Sequence, residues 1–206
     1  MQSLANQSNR TLGILLFDDV EVLDFCGSYE VFSVTKNQLG LPAFKAVTIA
    51  ENPTITARNG LSVNCDSTLE SAPNLDIILI PGGQGTRSEI QNPVLMDWIQ
   101  QRVENTSLVL SVCTGALLLA KTGNLAGLRA TTHANGYDAL AQLSPTTKLT
   151  RDRVVDNGKF ILSAGISAGI DMSFHVLAKL LGHETALQTA KYMEYDWHWV
   201  PSHVGW

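Results

Sequence analysis

Only three cysteines occur in the 206 residues, Cys26, Cys65 and Cys113, and no two of them form a C-x-x-C pair. An odd, widely spaced set excludes a disulfide framework and gives no sign of a cysteine zinc site. The five histidines, His133, His175, His183, His198 and His203, lack the H-E-x-x-H spacing of a metal site, so no metal and no cofactor are expected. Charge is sparse at 16% of residues, and 14 Lys and Arg stand against 19 Asp and Glu for a net charge of −5. The basic residues are scattered, which argues against a nucleic-acid partner. No apolar run approaches the roughly 18 residues of a membrane-spanning helix. The opening "MQSLANQSNR" is polar, lacks the apolar core of a signal peptide and reads as a frayed leader over residues 1–10. These absences lead to the expectation of a cytoplasmic protein with a small-molecule substrate.

What is present is a hydrophobic fraction of 45% on a length suited to one α/β domain spanning residues 1–206. "TLGILLF", "AFKAVTIA", "LDIILIPGG" and "SLVLSV" are near-continuous apolar runs, as expected of parallel strands buried on both faces. Helical patterns separate them: one through Val31, Phe32 and Val34, one over "NPVLMDWIQQRVEN" with Pro93 in its first turn, and a short one over "GALLLAKTG". Asn59-Gly60 predicts a hairpin turn, and Asp156-Asn157-Gly158 predicts another inside "RVVDNGKFILSAG". "RATTH" reads as a brief strand, "NGYDALAQL" as a helix, and two more helices lie between Ser167 and Met193. Strands alternating with helices predict an α/β three-layer sandwich around a mainly parallel sheet.

Ligands in open α/β sheets collect beyond the carboxyl ends of the strands. Three such ends carry unusual chemistry here: Asp24 after the first strand, Pro81-Gly82-Gly83 after "LDIILI", and Cys113-Thr114-Gly115 after "SLVLSV". Cys113 sits where a strand must turn abruptly into a helix, the geometry of a nucleophile elbow. A free cysteine there is either a small core residue or a nucleophile whose pKa the helix N-terminus lowers. The two companion loops favour the nucleophile, with a left-handed backbone at Cys113. Gly82 and Gly83 present N–H donors that, with the N–H of Thr114, suit an oxyanion hole. Asp24 is either a helix N-cap or a carboxyl group near the thiol that holds and passes a proton. Cys65 reads as structural, and His133 as a possible lining residue near a strand end.

"PGGQGT", "SVCTGALLLAKTGNLAG", "RATTH" and "GISAGIDMSF" closely resemble the ThiJ/PfpI family of the flavodoxin-like, class I glutamine-amidotransferase-like fold. Within that family the C-T-G elbow, the "LD" after the first strand and "ATTH" look most like isonitrile hydratases. The resemblance implies a nucleophile at Cys113, an acid/base at Asp24, support from Thr114, donors at Gly83 and Thr114, and a homodimer. Two departures bear on the pocket. The hydratases read L-D-x-T-G-P where this chain has Cys26 and Ser28, and T-T-H-W where it has Ala134, which leaves space in place of an indole.

Amidotransferase chemistry requires a cysteine–histidine–acid triad. The family's proteases carry histidine directly after the cysteine, where this chain has Thr114, and Asn135 stands where an acid would follow His133. Isonitrile hydration needs no histidine: a thiolate adds to the isonitrile carbon, and a carboxyl group moves the protons that yield an N-formamide. A glyoxalase-type or amidase-like reaction using Cys113 and Asp24 stays open, as does a thiol redox sensor. The same elbow occurs in sensor domains of AraC-type regulators, which append a helix-turn-helix domain. Here the tail "EYDWHWVPSHVGW" is short, aromatic and not basic, so a DNA-binding regulator is not expected.

Overall fold

A computed structural model describes residues 9–198. In chain order the elements are β1 (Arg10–Leu15), α1 (Val22–Val34), β2 (Phe44–Ala50), β3 (Thr54–Thr56), β4 (Ser62–Asn64), β5 (Ser67–Thr68), β6 (Ile77–Ile80), α2 (Thr86–Glu89), α3 (Pro93–Asn105) and β7 (Leu108–Val112). They continue as α4 (Gly115–Lys121), β8 (Arg129–Ala130), α5 (Tyr137–Leu143), β9 (Lys148–Leu149), β10 (Val154–Asp156), β11 (Phe160–Ser163), α6 (Ala168–Leu181) and α7 (His183–Tyr192).

Seven strands form the central sheet in the order β10-β11-β7-β6-β1-β2-β5. All neighbours pair parallel except β10 against β11. All residues of β6 and β7 are buried, which explains why their sequences are continuous apolar runs without alternation. From β1 the chain crosses to β2 on one side, and from β6 it crosses to β7 on the other. Two right-handed crossovers in opposite directions place their helices on opposite faces. Accordingly α1 packs with α6 and α7, whereas α4 packs with α2, α3 and α5. The expected three-layer α/β sandwich is the observed one.

Local signals act as read. Asn92 accepts from the N–H groups of Val94 and Leu95 at 3.1 and 3.2 Å, capping α3 ahead of Pro93. Asn59 and Gly60 both have positive φ, 62° and 89°, and join β3 to β4 in a separate hairpin. Asp156 Oδ1 accepts from the Gly158 N–H at 2.7 Å and closes the β10–β11 turn.

Other features depart from the sequence reading. "RATTH" contributes only two residues of strand, and these pair with β9 in a small sheet outside the central one. The short elements β5 and α2 had no periodic pattern long enough to announce them. Residues 1–8, most of the expected leader, lie outside the described residues. Among the described residues no helix is long and apolar enough to cross a membrane.

The tightest constraint on the architecture lies where α4 starts against β6. A Cβ at Gly115 would stand 2.1 Å from the carbonyl oxygen of Ile80, so any side chain there pushes α4 off the sheet. Gly115→Ala is expected to lower stability by about 1–3 kcal/mol or more. Gly123→Ala, at φ 80° with open space around it, is expected to cost about 1 kcal/mol. Urea midpoints at constant m-value check the contrast.

Candidate active site

The carboxyl ends of β6 and β7 lie side by side, with Ile80 paired to Ser111 in their register. Beyond them the chain must turn into the loop at Gly82 and into α4. Cys113 makes the second turn with φ 58°, the left-handed conformation expected of an elbow. A non-glycine residue there stores on the order of 1–3 kcal/mol. It is held from both sides: its N–H donates to the carbonyls of Ser163 and Ala164 at 3.2 and 3.1 Å, and its carbonyl accepts from Thr132 Oγ1 at 2.8 Å. Cys113 is 5% exposed, and Asp24 is fully buried.

Asp24 lies in the first turn of α1 but does not cap it; Glu21 is the N-cap residue. Its Oδ2 accepts from the Gly82 N–H at 2.9 Å. Its Oδ1 is buried without a geometrically defined hydrogen-bond partner among the described residues. Burial pushes the carboxyl pKa up to about 7; the Gly82 N–H and the Cys113 thiol oppose the rise, and Glu21 adds to it. The Cys113 thiol is pushed up to about 12, first by burial and then by the Asp24 charge. The N–H groups of Thr114 and Ile166 act in the opposite direction on the sulfur. This corrects the expectation of a thiol depressed by the helix N-terminus. Two backbone donors do not outweigh desolvation and a neighbouring carboxylate. The resting pair is therefore a protonated thiol beside a carboxyl group that titrates near neutrality.

The glycine donors are also assigned differently from the expectation. The N–H of Gly82 serves Asp24, and that of Gly83 serves Thr114 Oγ1 at 3.0 Å, so neither is left for an oxyanion. A Cβ at Gly82 would lie 2.4 Å from the Thr114 nitrogen and 3.0 Å from Asp24 Oδ2. The glycine is there to let three chain segments meet. Thr114, 3% exposed, faces Gly83 on both its N–H and its carbonyl, with Thr86 Oγ1 at 3.3 Å completing the network. The donors that do reach the sulfur belong to Thr114 and Ile166.

Ile166 was missed in the sequence. Its φ of 52° is left-handed, an outlier for a β-branched residue, and no propensity rule finds it. His133 caps a short turn instead of ending a central strand. Its Nδ1 accepts from the Asn135 N–H at 3.1 Å, and its ring covers Gly165, whose Cβ would strike Cδ2 at 2.3 Å. It makes no hydrogen bond to Cys113 or Asp24 among the described residues. Cys26 is exposed on α1, and Ala134 opens the turn after His133. Among the described residues no group of three His, Cys, Asp or Glu side chains is placed to hold a metal.

The DJ-1/PfpI family pattern matches residues 10–179. The chain belongs to the DJ-1/PfpI family. It is 34% identical over 185 residues to an isonitrile hydratase of Pseudomonas putida, covering 89% of this chain and 78% of that protein. It is 29% identical over 178 residues to the HTH-type transcriptional regulator CdhR of Pseudomonas aeruginosa, covering 86% of this chain and spanning only 52% of the regulator. The fold matches a ThiJ/PfpI family protein from Pseudomonas syringae with a TM-score of 0.85 at 26% identity, over all of this chain and 83% of that one. The DJ-1/PfpI family thus joins proteins named as an enzyme and as a regulator, and the chemistry of the site has to separate them.

The buried carboxyl group has a consequence for stability. Its folded pKa of about 7 lies above the ordinary 3.8, so between those values the folded state binds more protons than the unfolded one. Its contribution is full below pH 4 and is lost as pH rises through 7. Asp24→Asn is therefore expected to be more stable than the parent by a few kcal/mol at pH 8, with the difference shrinking toward pH 5. Denaturant unfolding across that range is the check.

Proposed function

We propose that the chain is a cysteine-dependent hydratase acting on a small isonitrile. The observation that carries this reading is the buried Cys113–Asp24 pair, in which a carboxyl group titrating near neutrality sits beside the thiol and no histidine joins the relay. A carboxyl group with that pKa is suited both to accept and to return a proton at neutral pH. Similarity to the P. putida isonitrile hydratase supports the same chemistry.

In the first step the Cys113 sulfur bonds to the terminal isonitrile carbon. The thiol proton passes through the Asp24 carboxylate to that same carbon, leaving a thioimidate, R–N=CH–S. Water then adds to the thioimidate carbon; Asp24 takes one of its protons, and the nitrogen receives one. The tetrahedral adduct collapses as the C–S bond breaks, and the departing sulfur recovers its proton. The sum is one isonitrile and one water giving one N-formamide, with the enzyme unchanged. Thr114 and Ile166 N–H groups, aimed at the sulfur, stabilise it whenever it carries charge. Thr114 Oγ1, tied to Gly83, holds the loop that positions Asp24. His133, beside Gly165, is assigned to the substrate side of this site. The family resemblance adds a homodimer as the working assembly, and the cytoplasm is the location proposed for it. Sedimentation at micromolar concentration tests the first against a monomer of 22.3 kDa.

Isonitriles of different bulk should be consumed with formation of the matching N-formamide. Cys113→Ala should abolish turnover, and Asp24→Asn should lower it by at least about a hundredfold. Mass spectrometry should find the covalent adduct on Cys113 and not on Cys65. Consumption of methylglyoxal with every isonitrile left intact would replace this reading with a glyoxalase-type reaction at the same pair.

A further inference from the structure

Thr132 carries a buried hydroxyl that the chemistry proposed above does not use. It lies between β8 and the turn at Ala134–Gly136, is 1% exposed, and donates from Oγ1 to the Cys113 carbonyl at 2.8 Å. Among the described residues no other group donates to that oxygen; the Leu117 N–H at the start of α4 serves the Thr114 carbonyl instead, at 3.0 Å. The Cys113 carbonyl therefore depends on one side chain, contributed from 19 residues away in the sequence.

The stretch that carries Thr132 is itself fastened. Tyr137 donates its O–H to the Thr150 carbonyl at 2.9 Å, so the fully buried Thr131 is the donor in its 3.1 Å contact with that phenol. The Gly136 N–H closes the following turn on the His133 carbonyl at 2.7 Å. A Cβ at Gly136 would come within 2.9 Å of Thr132 Oγ1 and 3.4 Å of Thr114 Cγ2. The turn thus lies against both threonines and keeps bulk water from standing in for the hydroxyl.

The Cys113 carbonyl and the Thr114 N–H are the two ends of one peptide group. That group is planar and trans, so its oxygen and hydrogen point in opposite directions. A hydrogen bond that fixes the oxygen therefore fixes the direction of the N–H, which reaches the Cys113 sulfur. It also draws electron density toward the oxygen and strengthens the N–H as a donor. Cys113 does not hold this arrangement by itself, because φ 58° is unfavourable for a residue with a Cβ. The Ser163 and Ala164 carbonyls hold the peptide group before it, and Thr132 holds the one after it.

We propose that Thr132 is a positioning residue for the Cys113 thiol: its hydroxyl sets the peptide group between Cys113 and Thr114 so that the Thr114 N–H points at the sulfur. The inference rests on Cys113 as the reacting thiol of the proposed function, and not on the substrate being an isonitrile. Alkylation by iodoacetamide, followed at Cys113 by mass spectrometry, reads the thiolate without any substrate. Thr132→Val keeps the shape and removes the hydroxyl. Its Cys113 rate should fall about tenfold between about pH 8 and 10, a displacement of the profile by about one pH unit. Thr132→Ser should return the rate to within about twofold of the parent, and Cys26, exposed on α1, should react equally throughout. A packing role alone predicts the reverse, since a loosened elbow exposes the thiol and speeds its alkylation. With isonitriles, Thr132→Val should lower kcat about tenfold and change KM by less than about twofold. An equal or faster Cys113 rate in Thr132→Val, or a serine variant that behaves as the valine one, overturns the proposal. In the 15N-labelled parent, which needs no variant to fold, the Thr114 amide signal should shift when Cys113 is alkylated; an unmoved signal overturns it as well. If the alkylation pattern is as expected while every isonitrile is left intact, the hydratase reading fails and this inference stands. If iodoacetamide leaves Cys113 unmodified, an unchanged kcat in Thr132→Val overturns the inference, and with no turnover either, both fall.

Discussion

The hydrogen bond from the Gly82 N–H to Asp24 Oδ2 is the contact on which the rest of the site depends. It joins the end of β6 to the first turn of α1 and holds a carboxyl group where no water reaches it. One backbone donor is too little to keep such a group fully ionised, so its pKa climbs toward neutrality. The neighbouring thiol feels both the burial and the charge and keeps its proton. A thiol and a carboxyl group with coupled titrations follow from that one placement.

Holding that placement requires backbone segments to approach more closely than side chains permit. At Gly82 and Gly115 a Cβ would collide with a neighbouring main chain, so glycine is a steric requirement at both. The opposite solution is used at Cys113 and Ile166, where full side chains sit at positive φ. Neither conformation persists on its own, because the left-handed region is unfavourable for residues with a Cβ. The buried strands β6, β7 and β11 fix the segments on either side, and the carbonyls of Ser163 and Ala164 hold the Cys113 N–H. Strain at the Cys113 thiol is thus sustained by an inert core, and its location beside a buried carboxyl group supports the proposed site.

The DJ-1/PfpI fold serves proteins with different names, and fold alone does not choose among them. The distinguishing features here are local. Thr114 in place of a histidine removes the triad route, and the only described acid coupled to the thiol is Asp24. At the β10 edge of the same sheet, two strands over from Cys113, the single carboxylate of Asp156 likewise orders His175 and Lys179.

The layout of the sheet was legible in the sequence because a strand buried on both faces must be apolar throughout, and because turn residues announce themselves by backbone chemistry. Cys113, Asp24 and Thr114 were legible as candidates for a related reason: the ends of parallel strands are where a fold of this class exposes side chains. Which donor serves which acceptor was not. The glycine N–H groups expected to face a substrate hold Asp24 and Thr114 instead, and the donor from Ile166 lies in "GISAGIDMSF", a stretch that carried the family resemblance but assigned no role to that residue. Nor could spacing along the chain show that Cys113 would be buried deeply enough to reverse the effect of a helix N-terminus. Desolvation and hydrogen-bond partnership depend on atoms brought together from β6, β7, α1 and the loop before α6. Only the tertiary structure decided those distances.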